Sequence, residues 1–193
     1  NVFKNINIFN NKTKVGEIDV LVVFANRAIV LQAKSKKLRL ESRKGNDNLL
    51  AEDFKKAIQD SYNQGLSCAK LIQEEKYKLL DASKNELTIR NDFKEIYIFC
   101  VVSDHYPALA FQTQQFLKFE ENKKIKPPFV MDIFLLDVMS EMLSNPLYFL
   151  SYTNKRTTYF KNFIAQSEYS ILSYHLKKNL YLSDEYSMMM IDD

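Results

Sequence analysis

Four polar residues fall at alternate positions in two neighbouring segments that otherwise have the composition of β-strands. Glu17 and Asp19 interrupt one apolar, β-branched run, and Gln32 and Lys34 interrupt the next. Successive side chains of a strand point to opposite faces, so the two residues of each pair share a face. Carboxylate and amide oxygens are ligands that Mg²⁺ accepts, and a lysine beside such an ion stabilises developing negative charge. The pattern predicts a functional site.

The polar dipeptide Asn26-Arg27 lies midway between the two runs and predicts a tight β-hairpin centred there. Such a turn places Lys34 directly opposite Asp19, with their Cβ atoms about 4.5–5.5 Å apart. The polar residues then form one patch, and the other face is apolar: Ile18, Val20, Val22, Ile29, Leu31 and Ala33. An ordinary cross-strand ion pair, worth about 0.2–1 kcal/mol, would account for Asp19 and Lys34 alone. Two acids, an amide and a lysine on one face favour a site.

Asp19, thirteen residues before Gln32-Ala33-Lys34, resembles the core motif of the PD-(D/E)xK nucleases in the Mrr-like variant, which has glutamine at the middle acid. The resemblance implies an α/β fold of the restriction-endonuclease type, a mixed β-sheet flanked by helices. It implies Mg²⁺ as cofactor, with Mn²⁺ as a substitute, held by Asp19, Gln32 and the Ala33 carbonyl. Lys34 would act on the transition state, and Glu17 would be an additional or supporting ligand. Replacing Gln32 by Glu is expected to tighten Mg²⁺ binding without disturbing the fold.

Two further segments fit a nuclease. The stretch after Lys34 is basic and is expected to contact a phosphodiester backbone, since Lys and Arg supply most such contacts: Lys36, Lys37, Arg39, Arg43 and Lys44. Apolar residues then recur at helical spacing and predict an amphipathic helix from about Asn48 to Lys76, packed on the sheet. The resemblance implies a glutamine on this helix facing the active site, and Gln64 matches it best.

Later segments complete the predicted α/β core. Glu95 to Val102 is an almost continuous apolar run, typical of a buried central strand, and 129–136 predicts another strand. Helices with aromatic stripes follow, so we expect a nuclease-like core over residues 1–140 and a helical C-terminal extension over residues 141–193, packed on the core.

Three functions remain open at this level. The first is a metal-dependent phosphodiesterase that cleaves nucleic acid, with DNA expected, in defence or repair. The second is an inactive nuclease-fold module that binds nucleic acid or a protein. It is favoured by the glutamine at position 32 and by a chain that opens on a strand, where the family often has an acid-bearing helix. The third is a structural domain in which Asp19 and Lys34 form only an ion pair.

Composition adds weaker constraints. A formal net charge of +3 does not by itself indicate a nucleic-acid partner, so any basic surface must be local. Cys68 and Cys100 lie in apolar segments and are expected to be free thiols in a reducing compartment. No run of eighteen apolar residues is present, so no membrane partner is expected. These features favour the cytoplasm, and a homodimer is a further expectation.

Overall fold

A six-stranded mixed sheet forms the centre of the computed structural model, which describes residues 1–35, 47–103 and 109–191. Its strands are β1 (Val2–Asn10), β2 (Thr13–Phe24), β3 (Arg27–Lys34), β4 (Lys78–Leu80), β5 (Glu95–Val102) and β6 (Phe129–Asp132). Their order is β4-β1-β2-β3-β5-β6; neighbours from β4 to β3 run antiparallel, whereas β3, β5 and β6 are parallel. The fold is therefore the restriction-endonuclease-like α/β architecture that the sequence predicts.

The turn of the β2–β3 hairpin lies one residue earlier than predicted, which displaces each partner on β3 by two residues. Phe24 pairs with Arg27, and the two-residue turn is Ala25-Asn26, where Ala25 has φ 50°. The ladder of paired residues continues in this register to Val20 opposite Leu31 and ends there. The predicted pairing of Asp19 with Lys34 is therefore wrong, because the left-handed backbone that closes the turn is at Ala25 and not beyond it.

One long helical segment covers one face of the sheet. It comprises α1 (Asp47–Phe54), a π-helical turn (Lys55–Gln59) and α2 (Asp60–Leu71), so it ends about one turn before the predicted end at Lys76. At Gly65 the helix approaches β5 so closely that a Cβ there would lie 2.6 Å from Cγ2 of Ile98. The absence of a side chain at this position lets α2 lie directly on the sheet.

The later helices lie mainly on the opposite face. They are α3 (Leu109–Phe116), α4 (Ile133–Met142), α5 (Pro146–Thr158) and α6 (Glu168–Lys178), with a small parallel sheet of β7 (Phe163–Ile164) and β8 (Met189–Met190). Only α3 packs with the first face, through Leu109. The second core contains Phe99 and Phe129 from the sheet and Tyr152 and Ile171 from the helices. Among the described residues, none of the helices has both the length and the apolar character of a transmembrane span.

The strand predicted over 129–136 is shorter than expected. Asp132 ends β6, and its side chain accepts a hydrogen bond from the Leu135 backbone N–H at 2.8 Å, which caps α4. The apolar residues after Asp132 therefore belong to a helix. The boundary drawn at residue 140 falls inside α4, and the division into core and extension stays a prediction.

Candidate active site

The candidate site lies where β2 and β3 part. Beyond the last pair of the ladder, two hydrogen bonds still join the strands, and each uses one side chain and one backbone group. The Ala33 N–H donates to Oδ2 of Asp19 at 2.7 Å, and Nε2 of Gln32 donates to the Glu17 carbonyl at 2.8 Å. The carboxylate of Asp19 is thus bound to the peptide unit that Gln32 shares with Ala33. Asp19, Gln32 and Ala33 meet in this gap between the two strands.

Gln32 is fully buried, and its side-chain amide is only half satisfied. Its Nε2 is directed at the Glu17 carbonyl, which fixes the orientation of the amide group. Its Oε1 has no hydrogen-bond partner among the described residues. A buried acceptor without a donor costs about 1–3 kcal/mol, so such groups usually serve a ligand, an ion or a bound water. A carboxylate and a free amide oxygen are a donor set that suits a hard cation such as Mg²⁺.

Helix α2 brings a second layer of polar groups to the gap. Nζ of Lys34 donates to Oε1 of Gln64 at 2.7 Å, and Nε2 of Gln64 donates to the Glu17 carbonyl at 3.3 Å. Gln64 therefore bridges the lysine and the strand that carries Asp19. The resemblance implies that Gln64 faces the active site, and the structure places it on α2 with its side chain against Lys34.

Cys68 is a member of this site that the sequence analysis did not select. Its thiol donates to the Glu17 carbonyl at 3.2 Å, one helical turn after Gln64. Burial, opposed by that hydrogen bond, raises the pKa of the Cys68 thiol to about 11. Cys68 is therefore a neutral donor at physiological pH and not a nucleophile. Its position four residues after Gln64, on the same helix face, is the signal that could have identified it.

Glu17 contributes to the site through its backbone more than through its carboxylate. Its carbonyl accepts hydrogen bonds from the side chains of Gln32, Gln64 and Cys68. Its carboxylate forms an ion pair with Lys14, at the outer end of β2. Over the described ranges, with their gaps at 36–46 and 104–108, no three His, Cys, Asp or Glu residues are grouped as a metal site. Asp19 is thus the carboxylate that reaches the gap.

The predicted basic contacts to nucleic acid lie outside the described residues: Lys36, Lys37, Arg39, Arg43 and Lys44. They directly follow Lys34 and Ser35 in the chain.

Comparison with known proteins gives a family for this arrangement. The nuclease-related domain family matches residues 1–103, which include β1 to β5, α2 and every residue of the gap. No curated protein and no solved structure matches the chain. The family match covers more than half of the chain, and the observed fold is consistent with it. The chain belongs to the nuclease-related domain (NERD) family.

Proposed function

We propose that this protein is a metal-dependent phosphodiesterase of the PD-(D/E)xK type, in the Mrr-like variant with glutamine at the middle acid. The observation that supports this best is Gln32. Its Oε1 is buried without a protein donor, next to the peptide that binds the Asp19 carboxylate. An ordinary Asp–Lys ion pair would require neither a buried glutamine nor an unsatisfied amide oxygen. A metal ligand requires an amide oxygen that no protein donor occupies.

The proposed ligands are Asp19, Gln32 and the carbonyl of Ala33. When bound, Mg²⁺ would lower the pKa of a water molecule and neutralise charge on the phosphoryl oxygens. The chain itself orients the ligands. The Ala33 N–H holds one carboxylate oxygen of Asp19, and the Glu17 carbonyl holds the amide of Gln32. Both side chains are thereby fixed before a ligand binds, which reduces the cost of ordering them.

Lys34 is the proposed residue that stabilises the transition state. Its ammonium group is held by Oε1 of Gln64, and Gln64 is held in turn by the Glu17 carbonyl. A positive charge fixed in this way can stabilise the negative charge that develops on a phosphoryl oxygen. Gln64 thus acts by positioning Lys34.

The proposed substrate is nucleic acid, and DNA in particular. Membership of the family and the basic residues that follow Lys34 in the sequence support this proposal. Both cysteines of the described chain are buried free thiols, which suits the reducing conditions of the cytoplasm.

The test combines Mn²⁺ binding with plasmid nicking. Wild type should bind Mn²⁺ by calorimetry and nick supercoiled plasmid. Asp19→Ala should lose both activities. Lys34→Ala should keep Mn²⁺ binding and lose nicking by about 10²–10³-fold, as expected for loss of one transition-state donor. Lys70→Ala is the control for loss of a lysine, because Lys70 lies on α2, the helix that carries Gln64, but pairs with the exposed Glu120. If wild type neither binds Mn²⁺ nor nicks DNA, the proposal fails.

A second function is supported by the single carboxylate that reaches the gap. A site with one carboxylate in place of two binds a divalent cation more weakly, and here the side chain of Glu17 is engaged with Lys14. An inactive module would bind DNA without Mn²⁺ and without cleavage. Its affinity would fall steeply with salt concentration, since binding would release counterions.

A further inference from the structure

A backbone irregularity lies next to the proposed catalytic carboxylate. Asn5, in the middle of β1, has φ 52°, a left-handed conformation that is uncommon within a strand. The β1–β2 ladder pairs Lys4 with Val20 and Ile6 with Ile18, and the pair between them, Asn5 and Asp19, is missing. The register is the same on both sides of this break. The break therefore inserts no residue but changes the direction of the side chains.

Burial shows the change of direction. On one side of the break, Phe3 and Leu21 pack against the core beneath helix α2. On the other side, Ile6 and Ile18 pack into that same core and are fully buried. The two positions in each strand differ by three in residue number, whereas side chains on one face of a regular strand differ by an even number. Both strands therefore switch face together at Asn5 and Asp19.

The switch determines where Asp19 points. Gln32 lies on the helix side of the sheet, since its Cγ would be 3.5 Å from a Cβ at Gly65 of α2. If β2 alternated regularly from Ile18, the next residue, Asp19, would project to the opposite side, away from Gln32. Instead its carboxylate turns into the gap and binds the Ala33 N–H. A break of this kind re-aims a side chain, as β-bulges do beside active sites.

We propose that Asn5 is a positioning residue for Asp19, acting through its left-handed backbone. Its side chain is exposed and makes no hydrogen bond within the described part of the chain, so the conformation is its contribution. Asparagine tolerates this region better than other residues with a Cβ, glycine tolerates it fully, and β-branched residues hardly at all. The consequence for metal binding rests on the function proposed above. The consequence for the Asp19–Ala33 hydrogen bond does not.

The test follows the Ala33 amide by NMR hydrogen exchange in the metal-free protein. Asn5→Gly should leave its exchange unchanged, whereas Asn5→Val should accelerate it about tenfold or more, towards the rate in Asp19→Ala, because the hydrogen bond to Asp19 is lost. Asn11→Val is the matched control. Asn11 has φ 55° in the β1–β2 turn, so the strain is similar but distant from Asp19. It should lower the unfolding midpoint without selectively changing the exchange of Ala33.

If Asn5→Val does not fold, Asn5→Ala replaces it and should show an intermediate acceleration. The Mn²⁺ affinity of the same variants, measured by titration, should decrease in the order Asn5→Gly, Asn5→Ala, Asn5→Val. Exchange of Ala33 that is unchanged in folded Asn5→Ala or Asn5→Val overturns the proposal. If exchange follows the expected order but wild type binds no Mn²⁺, the positioning role stands and the proposed nuclease function fails.

Discussion

Replacing Gln32 by methionine should stabilise the metal-free protein and remove its response to metal. Methionine is unbranched and similar in size to glutamine, so the buried position can be filled without a large cavity. The substitution removes the buried Oε1 that has no partner in the described chain, which relieves about 1–3 kcal/mol. It also removes the hydrogen bond from Nε2 to the Glu17 carbonyl, which contributes about 0.5–1.5 kcal/mol.

The Glu17 carbonyl should not be left unsatisfied by this change. It still accepts from Nε2 of Gln64 at 3.3 Å and from the Cys68 thiol at 3.2 Å. The gain from removing the buried Oε1 therefore equals or exceeds the loss of the hydrogen bond from Nε2. We expect Gln32→Met to range from neutral to about 2 kcal/mol more stable than wild type without metal.

The assay is urea unfolding with and without Mn²⁺. Wild type should gain about 2.7 kcal/mol at a Mn²⁺ concentration one hundred times its dissociation constant, and Gln32→Met should gain much less. The order of stability of the two proteins then reverses on adding metal. Thr113→Val is the matched control, because Oγ1 of Thr113 is also buried without a partner in the described chain but lies on α3. It should raise stability and leave the Mn²⁺ response intact.

Two results would refute this reasoning. If Gln32→Met is destabilised by more than about 2 kcal/mol without metal, Oε1 is satisfied in solution and is not held free for a ligand. If Gln32→Met keeps the wild-type response to Mn²⁺, the amide oxygen is not a ligand.

The same hydrogen bond changes the expectation for Gln32→Glu. The sequence alone predicts tighter Mg²⁺ binding with no effect on the fold. In the structure Nε2 of Gln32 donates to the Glu17 carbonyl, and a carboxylate would place an oxygen there instead. Two acceptors in contact, in a buried position beside Asp19, are repulsive. The variant should therefore be less stable than wild type without metal, and added Mn²⁺ should restore more stability to it than to wild type.

Two further predictions concern stability away from the site. Burial opposes the ionisation of Glu95, but hydrogen bonds from Arg27 and Tyr97 and the charge of Lys126 hold its pKa below the usual 4.5. Ionised Glu95 therefore stabilises the folded protein at pH values above 4.5, and this stabilisation is lost as the pH falls through the lowered pKa. Glu95→Gln should be less stable than wild type at neutral pH and should approach the stability of wild type in acid. Urea unfolding at neutral and acid pH measures the difference. Arg156→Met should lower the free energy of unfolding by about 3–5 kcal/mol, because it leaves Glu168 buried without its partner. Adding Glu168→Leu to this variant should recover much of the lost stability in the same assay.

The main features of the site could be predicted although the hairpin register was wrong. The predicted pairing is displaced by two residues from the observed one. A displacement of two keeps every side chain of β3 on its face, whereas a displacement of one would have reversed them all. Gln32 and Lys34 were therefore placed on the correct side of β3. Gln64 was selected from the resemblance to the PD-(D/E)xK nucleases, which does not depend on the register of the hairpin.

The face switch that directs Ile18 and Asp19 to the same side of the sheet could not be predicted in the same way. Regular alternation puts Ile18 on the face opposite Gln32 and Lys34, yet Ile18 is fully buried beneath α2, on their side. The reason is the face switch at Asn5, whose backbone is left-handed. An asparagine inside a strand does not by itself predict a left-handed backbone, since most asparagines in strands are extended. The cost of that conformation is offset only in the folded protein, where Ile6 and Ile18 on one side and Phe3 and Leu21 on the other are all drawn into one core. The orientation of the carboxylate is thus set by the packing of apolar residues on both strands, which a local pattern around Asp19 does not contain.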